Sequence, residues 1–332
     1  MSINPTVQPE PVEDEHLSLV QVGPSCRNGP PPLVLIHDGG GTSVSYFYLN
    51  SLDRQVYAIQ NPRFYAAEPW EYGILEMAQV YADFILSVVP AGPLLLGGWS
   101  LGGLLSLEIA SILAGHPSVR IVGIVMIDSI CTYHAPKLNH NLTNYGPVFR
   151  DITLEDTRKL VAQNMRHAVT AVNNWIPPAF RACGDADLYL RRREIEKDFV
   201  SAIKEGKLAP SKNSTLTKLI YERYEDLVEG AAPDDGASPT RPRRLLQRSP
   251  PRTVLLRCLK QVPMTEPENP ETTSRVDIMR KQEKLGWERY NDEMITAVFD
   301  LPGHHFEIFA DEHIDDVTAK IKQACAILER GT

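Results

Sequence analysis

Residues 94–115 read LLLGGWSLGGLLSLEIASILAG, an apolar run that meets a knot of glycines and resumes with helical spacing. A lone serine, Ser100, stands inside the knot between Gly98 and the pair Gly102 and Gly103. The run predicts a buried strand. Beyond the serine, the spacing of apolar residues predicts a helix over 101–114, capped near Gly115 and stopped by Pro117. Gly98-Trp99-Ser100-Leu101-Gly102 therefore sets a serine at a sharp strand-to-helix corner, with the spacing of a nucleophile elbow. The corner demands neighbours without bulk, because the backbone folds back and its central residue is strained. It also lifts the hydroxyl above the sheet edge, in front of a helix N-terminus. The free N–H groups there favour a developing oxyanion.

Outward from the corner the chain repeats one theme. PPLVLIHDGGG (31–41) reads as a buried strand ending in a glycine turn, and QVYAIQNP (55–62) as a second strand stopped by Pro62. Ile74, Met77, Ala78, Tyr81, Ile85 and Val88 fall on one face of a helix over 74–89. VRIVGIVMID (119–128), RTVLLRCL (252–259) and MITAVFDL (294–301) supply further strands, and a last helix covers about 312–328. Strands alternating with helices predict βαβ units: an α/β fold whose mostly parallel sheet carries helices on both faces. Between 129 and 250 the alternation stops, and 153–175, 185–206 and 214–230 read as helices with no strand between them. This predicts a core in two parts, 31–128 and 251–332, split by an α-helical lid insertion over 129–250 and preceded by a flexible leader over 1–30. Pro- and charge-rich stretches at 232–251 and 261–274 read as loops.

Composition closes off several functions. A net charge of −8 gives no support to nucleic-acid or anionic-membrane binding. No apolar stretch reaches the roughly 20 residues that span a bilayer. The start, MSINPTVQPEPVEDEH, lacks the basic and apolar segments of a secretory signal. Cys26, Cys131, Cys183, Cys258 and Cys325 are odd in number, scattered, and free of metal-ligand spacing. Reduced thiols and a cytoplasmic location are expected. Gly39, Gly40 and Gly41 could suggest a phosphate cradle, but the run lacks the Lys-Ser/Thr ending of a P-loop and the G-x-G-x-x-G spacing. No cofactor and no metal are expected.

A serine hydroxyl is a weak nucleophile until a base takes its proton and an acid orients that base. Of nine histidines, His16, His116, His134, His140, His167 and His313 fall in the leader, in loops or on helix faces, and His37 sits where it would shape the glycine turn. DLPGHHFEIF (300–309) differs, since it comes after the last strand and completes the chain order Ser, acid, His. His304 and His305 both remain candidates on this ground. For the acid, Asp128 closes the strand after the elbow helix, at the edge where ligand chemistry gathers in parallel sheets. Glu266, Glu268 and Asp277 occupy the rival position after the next strand, in a Pro-rich loop. Geometry of this kind favours Asp128. The oxyanion needs two backbone donors, expected from Leu101 and from Gly39 or Gly40.

LVLIHDGGG, VYAIQNPRF, LLLGGWSLGG, IVMIDS, LGWERY and LPGHHFEIF, in that order, resemble the thioesterase domains of polyketide synthases and nonribosomal peptide synthetases, within the α/β-hydrolase superfamily. The likeness is nearest to those of fungal polyketide pathways, and covers 32–130 and 252–328 well. It implies an α/β-hydrolase fold and a Ser100–His305–Asp128 triad, because the family's His is the third residue of a Gly-x-His segment and its acid commonly comes after the strand that succeeds the elbow. It also implies a substrate: an acyl or peptidyl chain held as a thioester on the phosphopantetheine arm of a carrier protein. The chain starts at its own Met with no synthase module attached, so a discrete enzyme acting in trans is expected. An acidic carrier would dock on basic surface, for which Arg191, Arg192 and Arg193 and the RPRR run at 241–244 are candidates against the plainer reading of a solvated helix face and loop. A free-standing esterase or lactonase of the same fold and a catalytically silent scaffold are the alternatives. A metal-dependent hydrolase lacks the ligand spacing.

Overall fold

The computed structural model describes residues 16–24, 29–133, 155–179, 186–229, 249–263 and 273–330. Among these, seven strands form one sheet: β1 (Leu17–Gln21), β2 (Leu33–Ile36), β3 (Val56–Ile59), β4 (Gly92–Trp99), β5 (Val119–Ile127), β6 (Thr253–Cys258) and β7 (Ile295–Leu301). Their order across the sheet is β1-β3-β2-β4-β5-β6-β7, and every pairing is parallel except β1 with β3. The elbow strand β4 and its neighbour β5 thus lie at the centre.

The strands read as unbroken apolar runs because both sheet faces are covered. Along β2 the side chains divide strictly by pleat. Val34 and Ile36 join one core with Leu94, Leu96, Ile124 and Met126, whereas Leu33 and Leu35 join a second with Leu95, Val125 and Ile127. The first core is closed by helices α1 (Gly73–Val88) and α2 (Leu101–Ile112). The second is closed by the last helix of the chain, α6 (Ile314–Glu329), through Val317, Ile321, Ala324, Cys325 and Leu328. This arrangement is an α/β-hydrolase fold.

Between β5 and β6 the described chain holds α3 (Glu155–Asn174), α4 (Ala186–Lys204) and α5 (Ser214–Glu229), and no strand. This segment extends the first core, with Trp175 and Ile176 just after α3, Leu188 of α4 and Leu216 of α5 all buried there. The layer is tied down by charge as well. Arg192 of α4 donates to both oxygens of Glu108 on α2, at 2.5 and 2.9 Å, and also to Glu196 and the Ile176 carbonyl. The Trp175 indole N–H donates to the same Glu108 at 2.9 Å. Both charges are out of water, Glu108 at 0% and Arg192 at 2% exposure.

Two expectations need correcting. Within the stretch read as a leader, residues 17–21 form β1, an edge strand with one clearly buried side chain, Leu17, while Leu19 is exposed. So short a half-covered strand carries little alternation, which hid it in the sequence. And the Arg191–Arg193 run is no continuous basic surface, since Arg192 is turned inward onto Glu108. The RPRR run at 241–244, Glu266, Glu268, His134 and His140 lie outside the described residues.

Candidate active site

The glycines around Ser100 are there because the end of β2 presses against the elbow. A Cβ on Gly98 would come within 2.6 Å of the Ile36 carbonyl oxygen, and one on Gly102 within 2.2 Å of the same atom. Ser100 itself stands at φ +57°, in the left-handed region that a side chain rarely occupies. Its N–H is held by the Ile127 carbonyl at 2.9 Å, and α2 begins at the next residue. One strand over, Asp128 has φ +48° and its N–H is held by the Leu256 carbonyl at 2.7 Å. Two adjacent strands therefore end in strained, polar residues at the same sheet edge, the pattern expected where strain serves a site.

Asp128 is buried, at 1% exposure. Its Oδ2 accepts Nδ1–H of His305 at 2.7 Å, and its Oδ1 accepts the backbone N–H of Cys258 at 2.8 Å. A guanidinium closes the far side: Arg280 donates Nη1 to Oδ1 and, at 2.7 Å, Nη2 to Oδ2. Burial pushes the carboxyl's pKa up, but the bonds and charges of His305 and Arg280 outweigh it and hold Asp128 well below the usual carboxylate range. Arg280 is fixed in turn by Asp277 Oδ1 at 3.0 Å and the Cys258 carbonyl at 3.0 Å. Asp277, the rival acid, thus stands behind the arginine, one residue removed from the imidazole. Nothing in the spacing of the sequence links Arg280 to Asp128, 152 positions away.

His305 is buried, and its ring packs against the Trp99 indole, at 5.4 Å between centroids, and edge-on against Phe306, at 4.9 Å. Its neighbour His304 is turned to Glu307, with Nε2 3.0 Å from the carboxylate. The pair is therefore separated by geometry: His305 meets Asp128 and His304 does not.

Ser100, Leu101, Asp128, His305 and Gly39 line one cavity of about 250 Å³. Its walls are chiefly apolar, built by Leu104 of α2, Ile130 after β5, Val169 and Val172 of α3, and Phe306. The Ser100 hydroxyl is not hydrogen-bonded to the imidazole in this arrangement. Contacts of that kind often tighten only around substrate. Of the two glycines expected to offer an oxyanion donor, Gly40 has its N–H engaged by Asp38 Oδ1 at 3.1 Å, whereas Gly39 faces the cavity. Asp38, which no motif had singled out, is buried and near enough to feel His305, and burial raises its pKa to about 6. His37 shapes the turn as expected, with Nδ1 2.6 Å from the Asp38 carbonyl and Nε2 2.6 Å from the Tyr81 hydroxyl.

The model of the thioesterase domain matches residues 31–199 of this sequence, about half of the chain. The chain belongs to the thioesterase domain family. It is 32% identical over 296 residues to "Probable thioesterase gloN" of the fungus Glarea lozoyensis, covering 89% of this chain and 90% of that protein. To thioesterase frbD of a Dothideomycetidae species it is 30% identical, covering 96% of each. Among solved structures, the NocB thioesterase domain in covalent complex with a fluorophosphonate nocardicin G analog is similar at 20% identity and a TM-score of 0.46, over 93% of this chain and 99% of that one. The family match spans the elbow and Asp128, while His305 lies beyond it. No helix among the described residues is long and apolar enough to cross a membrane.

Proposed function

We propose that this thioesterase works through an acyl-enzyme on Ser100, with His305 as general base and Asp128 as the orienting carboxylate. The observation that carries the reading is the buried 2.7 Å bond from His305 to Asp128, on the same cavity as a serine held in a left-handed elbow. Donating Nδ1–H to Asp128 leaves Nε2 as the basic nitrogen of the neutral ring. Nε2 takes the hydroxyl proton as Ser100 Oγ attacks the thioester carbonyl, and the resulting imidazolium is stabilised by Asp128. The backbone N–H groups of Leu101 and Gly39 receive the oxyanion. Collapse breaks the C–S bond, the thiol leaves with the proton from His305, and an ester to Ser100 remains. A second nucleophile, activated in the same way, then releases the acyl group: water gives an acid, an internal hydroxyl a lactone, an internal carbanion a carbocycle, an outside alcohol or amine an ester or amide.

The substrate in this proposal is an acyl or peptidyl chain on the phosphopantetheine of a carrier protein. The resemblance of the motifs and the similarity to thioesterases over most of the chain support it. Intact-protein mass spectrometry after mixing with acyl-loaded carrier tests it directly. The wild type should gain the acyl mass and label with a fluorophosphonate, and Ser100→Ala should do neither. Labelling of Ser100 together with turnover of simple esters and refusal of carrier-bound acyl groups would replace the carrier reading by that of an esterase. A folded wild type that neither labels nor turns over would remove the nucleophile.

A further inference from the structure

Two guanidinium groups line the Ser100 cavity, Arg166 from α3 and Arg275 at the start of the short 3-10 turn Arg275–Asp277. Their hydrogen-bond partners are neutral, unlike those of several other arginines. Arg54, Arg63, Arg192, Arg257 and Arg280 each face a carboxylate within 3.0 Å. Arg275 instead donates to the neutral amide oxygen of Asn173, and Arg166 to that of Gln163. Neither pairs with a carboxylate among the described residues. Arg275 is only partly exposed, and burial pulls its pKa below the ordinary arginine value with no counter-charge to oppose it. Holding a cation partly out of water without a partner is costly, and an arriving anion relieves that cost. Apart from the catalytic candidates, Thr132 and Ser274, the remaining wall is apolar, and the Asp128 carboxylate on it is already taken by Arg280, so the cavity combines a largely hydrocarbon surface with an uncompensated positive fork.

We propose that Arg275, assisted by Arg166 on the same cavity, binds an anionic oxygen carried by the acyl chain itself, a carboxylate or an acidic enol, while the chain's hydrocarbon lies along Leu104, Val169 and Val172. The inference rests on the reading of Ser100 as the acylated residue, and it names the acyl class that this site selects. A planar guanidinium with free N–H groups suits a two-oxygen acceptor. A second source of the same chemistry is the phosphodiester of the carrier's arm. It lies at the far end of the long pantetheine chain from the reacting carbonyl, whereas Arg275 shares a cavity of about 250 Å³ with Ser100, which favours the acyl chain.

The test compares N-acetylcysteamine thioesters in matched pairs: glutaryl, adipoyl and suberoyl monothioesters against pentanoyl, hexanoyl and octanoyl. Wild type should prefer the carboxylate-ended partner at one chain length at least, by about 10- to 100-fold in kcat/KM, the range expected of a charge-assisted pair. Arg275→Gln should collapse that ratio toward unity, and Arg275→Lys should retain part of it. A clasp that merely held Asn173 would move both members of a pair together and leave the ratio intact. An unchanged ratio in Arg275→Gln, or a wild-type preference for methyl ends at every length, overturns the proposal. So does a ratio that responds only when phosphopantetheine and pantetheine thioesters of one acyl group are compared, since the cations would then serve the carrier's phosphate. If wild type turns over none of these thioesters, the nucleophile reading fails separately. Calorimetric titration of Ser100→Ala with monomethyl adipate and with methyl hexanoate then decides the inference by binding alone, and equal affinities would overturn it.

Discussion

Replacing Arg192 by Met should destabilise the molecule more than any surface change, and the structure sets the size of the effect. Arg192 is 2% exposed and makes bonds of 2.5 to 2.9 Å to Glu108, Glu196 and the Ile176 carbonyl. Without it, Glu108 at 0% exposure keeps the Trp175 N–H but has lost its neutralising charge. Breaking a buried pair from one side costs about 3–5 kcal/mol. The loss of a partner for the buried Ile176 carbonyl adds roughly 1–3 kcal/mol. A total of about 4–8 kcal/mol would consume a quarter or more of a typical domain's stability of roughly 5–15 kcal/mol. The penalty arises from a stranded charge and not from a lost attraction, so removing the other charge too should relieve it. Arg192→Met with Glu108→Gln should recover to within about 3 kcal/mol of wild type, the Ile176 carbonyl still lacking its partner. Equilibrium urea unfolding monitored by tryptophan fluorescence measures all three proteins against wild type. A single variant costing under about 1 kcal/mol, or a double variant no better than the single, would refute the account of how α4 is anchored to the elbow helix.

Gly102→Ala should abolish fluorophosphonate labelling, because its Cβ would meet the Ile36 and His37 carbonyl oxygens at 2.2 and 3.0 Å. Wild-type labelling in that variant would mean that the elbow has slack. Arg280→Met should lower kcat at least tenfold with little change in KM, by loosening the Asp128 carboxylate that steadies His305, and Arg280→Lys should restore part of the rate. Steady-state kinetics within twofold of wild type would deny Arg280 a positioning part. Asp38, with its pKa raised to about 6, favours the fold fully below the unfolded value of about 4 and loses that contribution as pH rises through 6. Asp38→Asn should therefore gain on wild type by up to roughly 3 kcal/mol between pH 4 and 7. A stability difference flat across that range, measured by urea unfolding at several pH values, would contradict the burial of an ionisable carboxyl there.

What could be read from the sequence was whatever local chemistry dictates. Short apolar runs located every parallel strand, and helical spacing located α1 to α6 to within a few residues, because those patterns arise from covering both faces of one sheet. Ser100 was legible for the same reason: the glycines that make room for the Ile36 carbonyl are neighbours in the chain. The meeting of His305 with Asp128 was reached through motif order and resemblance, since no spacing law connects residues 177 positions apart. Arg280, Arg192 and Glu108 gave no signal at all. An arginine on a helix or turn looks the same in sequence whether it faces water or a buried carboxylate, and the choice is made by which elements pack against it. Arg192 shows the error this invites, for the run that read as basic surface contains a buried structural cation.

These buried cations share a logic with the cavity. Arg280 lies behind Asp128 and Arg192 lies behind the elbow helix, and each is paired on the spot with two carboxylates, Asp128 with Asp277 and Glu108 with Glu196. Such clusters hold their partners rigidly and leave no unpaired cation behind the site. Arg275 departs from that pattern on the largely apolar cavity that the serine opens into, where a mobile counter-charge can arrive. If Arg275 were merely another structural cation, a fixed acidic partner would have been the cheaper arrangement, as it is at the other two. Its neutral Asn173 neighbour leaves the balance of charge for the ligand to complete.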